Sequence, residues 1–467
     1  MPYPRTKIVC TLGPASANRD TLRALMEAGL SVARLNFSHG THEQHAATVA
    51  LVRAVAKELD RPVAILGDLQ GPRIRIGDLA TPRDVIDGED IVLVAGEDAD
   101  EGQFPTTYDN LCKDLKVGDR VLVDDGLIEL MTLEVTERTV TTRVLHGGQI
   151  KSHKGMNLPG VAVSAPSITE KDWADVDFAI EHGLEYLALS FVRQAQDIAE
   201  LREKLPKGML IVAKIEKDSA LENIESIIRS SDAVMVARGD LGVELPFEEV
   251  PIAQKRIISL CNKLGRPVIT ATQMLESMIK NPRPTRAEAS DVANAILDGT
   301  DAVMLSAETA SGQYPRLAVE AMSRIIMEIE KHPRGKSADA RIVSEEAVST
   351  EQAIAAAATS AVRSLGAPAL IVFTKSGFSA RIVASHRPGV PILVLTDQER
   401  TYRQLALVWG VIPCLVQHCD TYWDMVKLAL AAVRERGLAR EGDRVVVTAG
   451  VPFDVPGTTN LMKVETV

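Results

Sequence analysis

The chain has 467 residues, which predicts about three domains at roughly 150 residues each and excludes a small disulfide-stapled scaffold. Hydrophobic residues make up 46% of the chain but aromatic residues only 4%, so Val, Ile, Leu and Ala must build the cores, as is typical of parallel α/β proteins. The 52 Lys and Arg residues are outnumbered by 63 Asp and Glu residues, and the formal net charge of -11 argues against a broad nucleic-acid-binding surface.

The N-terminal part of the chain alternates between short β-branched runs and helical patterns. Strands are predicted at 6–12, 31–37 and 63–69, with helices at 20–30 and 42–59 between them. From about residue 73 to 163 the pattern becomes alternating and rich in turns, with a hairpin turn at Asp125-Gly126. This segment is predicted to be a small antiparallel β insert.

The strand-helix rhythm then resumes. A helix is predicted at 169–183, strands at 186–191, 210–216, 233–240, 267–272 and 302–306, and a closing helix at 315–332. Together with the first three, these strands predict an α/β fold, a (β/α)8 TIM barrel with the β insert after strand three.

A polar linker at 331–348 precedes a second α/β series, with a helix at 351–365 and strands at 369–374, 391–396, 412–416 and 444–448. This series predicts a separate doubly wound domain. The predicted domains are a catalytic barrel of residues 1–72 and 164–345, an inserted β lid domain of residues 73–163, and a C-terminal α/β regulatory domain of residues 346–467.

Polar residues recur where the predicted barrel strands end, which is the face that carries chemistry in such barrels. A single charge there is often only salt-bridged, but recurrence at six strand ends indicates a site. The positions are Arg34 and Asn36 to Gly40, Asp68, Lys214 with Glu216, Arg238 to Asp240, Thr272, and Ser306 with Glu308.

Lys214 and Glu216 are two residues apart on a strand and therefore share one face. The carboxylates of Glu216 and Asp240 would converge there, which suits Mg²⁺. A glycosidase also pairs carboxylates, and a structural ion pair would explain Lys214 with Glu216, but the adjacent cations favour a phosphorylated substrate. The chain has no Walker A loop and no G-x-G-x-x-G motif. From the residues alone, a Mg²⁺-dependent barrel enzyme is expected, with its reaction open.

Several segments resemble the pyruvate kinase family, and the resemblance covers essentially the full chain. They are Lys214-Ile-Glu216, residues 235–242, 271–278 and 304–309, Arg34 to Gly40, Gly71-Pro72, and Asn157-Leu-Pro-Gly160. The resemblance implies phosphoryl transfer from phosphoenolpyruvate to ADP, giving pyruvate and ATP in the last step of glycolysis. It also implies a homotetramer.

The resemblance assigns roles to individual residues. Glu216 and Asp240 would bind Mg²⁺, with Mn²⁺ a possible substitute, and Lys214 and Arg34 would neutralise the phosphoryl group. The substrate carboxylate would lie on the amides of Gly239 and Asp240 and on the Thr272 hydroxyl. Further members of the implied catalytic set are Arg238, Ser306 and Glu308, and the implied nucleotide contacts are Asn36, Ser38, His39, Arg75 and Lys154.

One departure from the family concerns a monovalent cation. Many members hold K⁺ at positions matching Asn36, Ser38, Asp68 and Leu69, with a Glu where this chain has Arg73. Arg73 would supply the missing positive charge, so little dependence on K⁺ is expected. Together with Gln70 in place of a common Lys, this suggests a bacterial-type subgroup.

The loop from Thr374 to Ser379 joins a predicted strand to a helix. Free amides at a helix N-terminus, with Lys375 beside them, favour a phosphate, although an ordinary turn with a Ser cap would look similar. Similar loops in the family bind an allosteric sugar phosphate, so an effector phosphate site is expected at Thr374, Lys375, Ser376, Gly377 and Ser379. A nucleotide effector is equally compatible, and Gly450 to Thr459 would form the other side.

Two rival functions stay open: another Mg²⁺-enolate barrel enzyme, such as a carbon–carbon lyase acting on oxo acids, and a catalytically silent sugar-phosphate sensor.

The five cysteines are scattered without a C-x-x-C pair, and no run of 18 apolar residues occurs. A reduced, cytoplasmic protein that binds small molecules and neither nucleic acid nor membrane is expected.

Overall fold

The computed structural model describes residues 4–96, 98–332, 348–419, 421–451 and 459–467. Within these residues, eight parallel strands close into a barrel, which confirms the predicted fold class. Elements are numbered along the chain. In order around the barrel, the strands are β1 (Lys7–Thr11), β2 (Leu30–Asn36), β3 (Ala64–Asp68), β12 (Tyr186–Leu189), β13 (Leu210–Ile215), β14 (Ala233–Ala237), β15 (Val268–Ala271) and β16 (Ala302–Leu305).

Helices cover the outside of the barrel because each has an apolar stripe facing the strands, such as Leu22, Leu25 and Met26 of α1. Local signals mark their starts, including the capping box that Thr41 forms at α2. The helices around the barrel are α1 (Arg19–Ala28), α2 (His42–Glu58), α4 (Glu170–Glu181), α5 (Ala195–Lys204), α6 (Asp218–Glu222), α7 (Ile224–Ser230), α8 (Arg238–Glu244), α9 (Val250–Leu264), α10 (Arg286–Asp298), α11 (Ala307–Ala310) and α12 (Pro315–Lys331).

The predicted strand over 233–240 is too long. The strand ends at Ala237, and α8 starts at Arg238 with Asp240 in its first turn, where a carboxylate is favoured by the helix dipole. Helix α8 therefore begins directly at the carboxyl end of the strand.

The insert folds into antiparallel sheets, with one parallel pair, around its own apolar core. The predicted hairpin turn joins the strands Arg120–Val123 and Ile128–Val135, and its residues Asp124, Asp125 and Gly126 all have positive φ. The elements are β4 (Arg83–Val85), β5 (Asp90–Val94), β6 (Phe104–Pro105), α3 (Leu111–Asp114), β7 (Arg120–Val123), β8 (Ile128–Val135), β9 (Thr139–His146), β10 (Gly148–Ile150) and β11 (Met156–Asn157).

The described part of the C-terminal region forms a five-stranded sheet in the order β19-β18-β17-β20-β21. Four strands are parallel, and β21 adds an antiparallel edge that the sequence analysis missed. The elements are α13 (Thr350–Leu365), β17 (Leu370–Phe373), α14 (Phe378–Ser385), β18 (Ile392–Thr396), α15 (Glu399–Gln404), β19 (Val411–Leu415), α16 (Tyr422–Glu435), β20 (Arg444–Ala449) and β21 (Leu461–Thr466). The exact domain limits stay a prediction.

A short 3-10 helix, Leu405–Leu407, closes the amino-terminal end of the barrel. Its Ala406 and Leu407 join the apolar cluster inside the barrel, and the hydroxyl of Tyr186 donates to the Gln404 carbonyl at 2.7 Å. The C-terminal region thus fills the end of the barrel opposite to the strand ends where polar residues recur. None of the helices in the described ranges has the length and apolar character needed to cross a bilayer.

Candidate active site

Lys214 lies at the centre of a buried charge cluster at the carboxyl ends of the barrel strands. Its Nζ is 3.2 Å from Asp68 Oδ1 and 2.8 Å from Glu216 Oε1, and it donates to Ser190 Oγ at 2.6 Å. Burial by itself lowers the pKa of Lys214, but Asp68 and Glu216 more than offset it and hold the pKa above its usual value. The ammonium is therefore charged at neutral pH.

Asp68 joins Lys214 to Arg34. The Arg34 Nε and Nη2 both lie 2.7 Å from Asp68 Oδ2, and its Nη1 donates to Thr11 Oγ1 at 2.8 Å. Burial of Asp68 acts to raise its pKa, yet Lys214 and Arg34 hold the pKa below its usual value. One buried carboxylate thus fixes two cations side by side, an arrangement that can receive a doubly charged anion.

Glu216 is almost completely buried, and its Oε2 accepts the Phe191 amide at 2.6 Å. Burial is the main reason that the pKa of Glu216 is raised, and the charge of Asp240 adds to it. A divalent cation between these carboxylates would relieve that repulsion, and Mg²⁺ usually takes one or two carboxylates plus substrate phosphate. No group of three or more His, Cys, Asp or Glu residues in the described ranges is arranged to hold a metal.

Thr272 adopts a strained backbone conformation where β15 ends. Its φ is +67°, which is rare for a β-branched residue. Its hydroxyl accepts the Gly239 amide at 2.8 Å and donates to the Ala271 carbonyl at 2.7 Å. The start of α8 and the end of β15 are thereby joined through one hydroxyl.

The structure brings Arg238 to the same strand end but directs its guanidinium to other partners. It contacts Asp291 at 2.7 Å, the Thr272 carbonyl at 2.8 Å and the Met274 sulfur at 2.7 Å. These contacts support the strained turn after β15. The catalytic role expected for Arg238 stays a prediction.

Glu308 and Ser306 lie at the end of β16. The buried carboxylate of Glu308 accepts the Ser306 amide at 2.7 Å and the Leu275 amide at 3.1 Å. Burial raises the pKa of Glu308, so this carboxyl retains a proton to higher pH than an exposed one would.

The expected nucleotide residues fall into two groups. Asn36, Ser38 and His39 form a tight turn after β2, in which the Ser38 amide donates to Asn36 Oδ1 at 3.1 Å. Arg75 and Lys154 lie in the insert. The backbone of Arg75 forms an isolated antiparallel β-bridge with Gly155, and Lys154 Nζ is 2.7 Å from Asp124 Oδ1. Burial and then the charge of Arg73 lower the pKa of Arg75.

Arg73 is exposed beside the insert. None of the hydrogen bonds or ion pairs seen among the described residues joins its side chain to Asn36, Ser38 or Asp68. The cations that contact Asp68 are Arg34 and Lys214. The replacement of K⁺ by Arg73 therefore stays a prediction.

Comparison with known proteins identifies the family. The family model described as pyruvate kinase, barrel domain, matches residues 3–319, and pyruvate kinase, alpha/beta domain, matches residues 352–465. A pyruvate kinase of Geobacillus stearothermophilus is 47% identical over 99% of this chain and 80% of the relative, and one of Staphylococcus aureus is 44% identical with the same coverage. The crystal structure of a pyruvate kinase from Cryptosporidium parvum matches 99% of this chain and 96% of its own, with a TM-score of 0.94 and 37% identity.

The chain belongs to the pyruvate kinase family. It is accordingly a phosphotransferase, and the charge cluster around Lys214 lies where a (β/α)8 enzyme carries its chemistry. The Arg34 to Gly40 turn, the 235–242 segment and the Ser306 to Glu308 turn, on which the resemblance was based, all lie at that end of the barrel.

Three residues that contact the charge cluster were not predicted from the sequence. Ser190 and Phe191 follow β12 and contact Lys214 and Glu216, and Thr11 at the end of β1 contacts Arg34. Ser190 lies near the end of the strand predicted at 186–191, so the rule that flagged six other strand ends also applies to it. Phe191 carried no signal, because it acts through its backbone amide.

The expected effector loop is a compact turn before α14. Gly377 has a φ of +77°, which favours glycine, and its amide donates to Thr374 Oγ1 at 3.0 Å. The Ser376 carbonyl accepts from Arg381 at 3.2 Å. Ser379 accepts the Thr459 hydroxyl at 2.6 Å, while residues 452–458 of the expected opposite wall lie outside the described residues.

Lys375, within this loop, contacts Asp397 Oδ2 at 2.5 Å, and His418 lies 2.9 Å from the same oxygen. Burial of Asp397 opposes ionisation, but hydrogen bonds led by that of Lys375 lower its pKa to about 2. The ammonium of Lys375 is therefore held in the turn by the carboxylate of Asp397, which is ionised at neutral pH.

We expect Asp68→Asn to lower the free energy of unfolding by about 3 to 5 kcal/mol at neutral pH, because Arg34 and Lys214 would lose a buried counter-ion. The pKa of Asp68 is below its ordinary 3.8 in the folded protein, so the unfolded state binds the proton more readily. The wild-type advantage is complete above about pH 4 and shrinks only as the pH falls further. Urea titrations followed by circular dichroism measure it.

Asp90→Asn is the matched control, because Asp90 also pairs with an arginine, Arg143, but on the exposed surface. We expect it to change the urea midpoint little, since exposed ion pairs contribute little. A midpoint for Asp68→Asn equal to that of Asp90→Asn would contradict the buried cluster.

Proposed function

We propose that this chain catalyses phosphoryl transfer from phosphoenolpyruvate to ADP with Mg²⁺, giving pyruvate and ATP as the last step of glycolysis. The supporting observation is the buried ammonium of Lys214, held between Asp68 and Glu216 and beside Arg34. Family membership supports the same reaction.

Arg34 and Lys214 would bind the phosphoryl group and stabilise its charge during transfer. Their side chains are already fixed by Asp68, Thr11 and Ser190, so little reorganisation is needed when charge shifts. Glu216 and Asp240 would hold Mg²⁺ or Mn²⁺, which supplies Lewis-acid stabilisation of phosphoryl oxygens when bound.

The substrate carboxylate would be held by the amides of Gly239 and Asp240 and by the Thr272 hydroxyl. In the structure this hydroxyl accepts the Gly239 amide, so an incoming carboxylate would compete for that donor. Residues Arg238 and Asp291 keep the turn in place through the Thr272 carbonyl.

Release of the phosphoryl group leaves the enolate of pyruvate, which must gain a proton at carbon. Thr272, Ser306 and Glu308 are the candidates to hold or relay that proton. Glu308 is the buried member, and burial raises its pKa, so its carboxyl holds a proton to higher pH than an exposed carboxyl would.

ADP would bind between the Asn36 to His39 turn and the insert, with Arg75 and Lys154 on its phosphates. The insert, residues 73–163, would act as a lid over the nucleotide and exclude water. Its own apolar core lets it move as a unit.

Regulation would act through the turn of Thr374 to Ser379, which would bind the phosphate of a sugar phosphate or of a nucleotide.

A homotetramer is proposed as well. It is supported by the antiparallel edge strand β21, whose Met462 and Val464 are exposed, because an uncovered edge can pair with a second copy. The working compartment would be the cytoplasm.

Lys214→Met should reduce kcat at least several hundred-fold, because removing one preorganised charge raises the barrier by about 3 to 4 kcal/mol. A coupled assay of pyruvate formation from phosphoenolpyruvate, ADP and Mg²⁺ measures it. Lys255→Met is the control, since Lys255 pairs with Asp298 on an exposed helix face, and it should keep the wild-type rate. Near-normal turnover in Lys214→Met would contradict the assignment.

The rate should depend little on K⁺, because Arg73 replaces the family's glutamate and the positive charges of Arg34 and Lys214 already balance Asp68. The measurement is the initial rate in tetramethylammonium buffer without Na⁺ or K⁺. A rate under a tenth of that with added K⁺ would refute this expectation.

A phosphate effector should lower the phosphoenolpyruvate concentration that gives half-maximal rate. We expect at least one of glucose 6-phosphate, fructose 1,6-bisphosphate and AMP to do so, and Lys375→Gln to abolish the response because the charge beside the turn is lost. Lys427→Gln, on the exposed face of α16, should respond normally. Equal responses of the two variants would place the effector elsewhere.

A further inference from the structure

Glu244, the last residue of α8, lies where three segments meet. Its side chain is about 1% exposed, and nothing in the phosphoryl-transfer scheme uses it. The segments are the residues that directly follow β13, namely Glu216 and Lys217, helix α8 with Asp240 in its first turn, and β11 at the return from the insert.

One carboxylate oxygen joins the three segments. Glu244 Oε1 accepts Lys217 Nζ at 2.5 Å and Asn157 Nδ2 at 3.3 Å. Lys217 directly follows Glu216 along the chain, and Asn157 pairs with Leu122 in the insert. A single group thus connects the insert to both segments that carry the candidate metal ligands.

The chain segment that leads into the insert is held by a different carboxylate. There, Asp172 Oδ1 accepts the amides of Gln70 at 2.9 Å and Gly71 at 3.1 Å. Asp172 belongs to α4, and the carboxylates of Glu216 and Asp240 lie on other segments. A carboxylate therefore anchors each connection, but only Glu244 lies on the helix that begins next to the phosphoryl site.

Glu244 also has an unused acceptor. Its Oε2 is buried and has no hydrogen-bond partner among the described residues, an arrangement that costs folding free energy. The insert comes close to α8 a second time, since a Cβ at Gly126 would lie 3.9 Å from Val243 Cγ1. Both contacts lie at the end of α8 opposite to Asp240.

We propose that Glu244 is a positioning residue that transmits movement of the insert to Glu216 and Asp240 through its contacts with Asn157 and Lys217. Closing the insert over a nucleotide then shifts α8 and the end of β13 together. The separation of the two metal-binding carboxylates is set by the position of the insert, so nucleotide binding and binding at the metal site are thermodynamically coupled. This inference rests on the proposed function.

The coupling is measurable without turnover. Oxalate is a planar dianion with the shape of the pyruvate enolate. It carries no phosphoryl group to transfer to ADP, so the two ligands can bind together without turnover. Isothermal titration calorimetry of ADP in excess Mg²⁺, with and without saturating oxalate, gives the coupling factor between the two sites. Linkage requires the same factor for oxalate titrated with and without ADP.

We expect a wild-type coupling factor of at least about fivefold. Asn157→Ala should reduce it to less than about twofold while leaving the oxalate affinity without ADP unchanged, because the contact between Lys217 and Glu244 remains. Glu244→Gln should also weaken oxalate binding without ADP, since the charge that holds Lys217 beside Glu216 is lost. If Asn157 had a purely structural role, Asn157→Ala would not lower the coupling factor while leaving the affinity for oxalate alone unchanged.

Gln149→Ala is the matched control. Gln149 also donates an amide hydrogen bond to a carboxylate, Asp84, at 3.1 Å, but within the insert, so its coupling factor should equal that of the wild type. If the wild type turns over phosphoenolpyruvate and ADP but Asn157→Ala keeps the wild-type coupling factor, the proposed role of Glu244 is overturned while the proposed function stands. Absence of turnover and of oxalate binding in the wild type overturns the proposed function, and this inference with it.

Discussion

Buried charge needs a counter-charge, and the site is arranged around this requirement. Lys214 is buried, and burial alone would lower its pKa, but Asp68 and Glu216 hold the pKa above its usual value. The second oxygen of Asp68, Oδ2, fixes Arg34. Removing any one of these charges leaves the others uncompensated, so the cluster acts as a unit.

The barrel makes this cluster possible because its parallel strands deliver side chains from distant parts of the chain to one edge. Asp68 and Lys214 are 146 positions apart, yet β3 and β13 both flank β12, whose end supplies Ser190. At the opposite end the C-terminal region inserts Ala406 and Leu407 into the barrel. The C-terminal region is therefore packed directly against the barrel that carries the charge cluster.

Much of this architecture could be predicted from local pattern. Buried parallel strands read as continuous apolar runs, and polar residues recurred at their ends. The errors have physical causes. The strand predicted for β14 is too long because helix α8 starts at Arg238, directly after the strand. Strand β21 was not predicted, although exposed and half-buried residues alternate from Leu461 to Thr466. The guanidinium of Arg238 is held by Asp291 and by the turn after β15, and its expected catalytic role stays a prediction.

By itself the sequence determined the α/β class, the interruption by a β insert, the family resemblance and the identity of the charged residues at the strand ends, because periodicity and motif spacing are local properties. Only the tertiary structure decided which charges meet. It assigned Asp68 to Lys214 and Arg34, and it brought Asn157, Lys217 and Glu244 together from three segments. Ion pairs and hydrogen bonds depend on distances of a few ångströms between residues far apart in the chain, and no local pattern contains those distances.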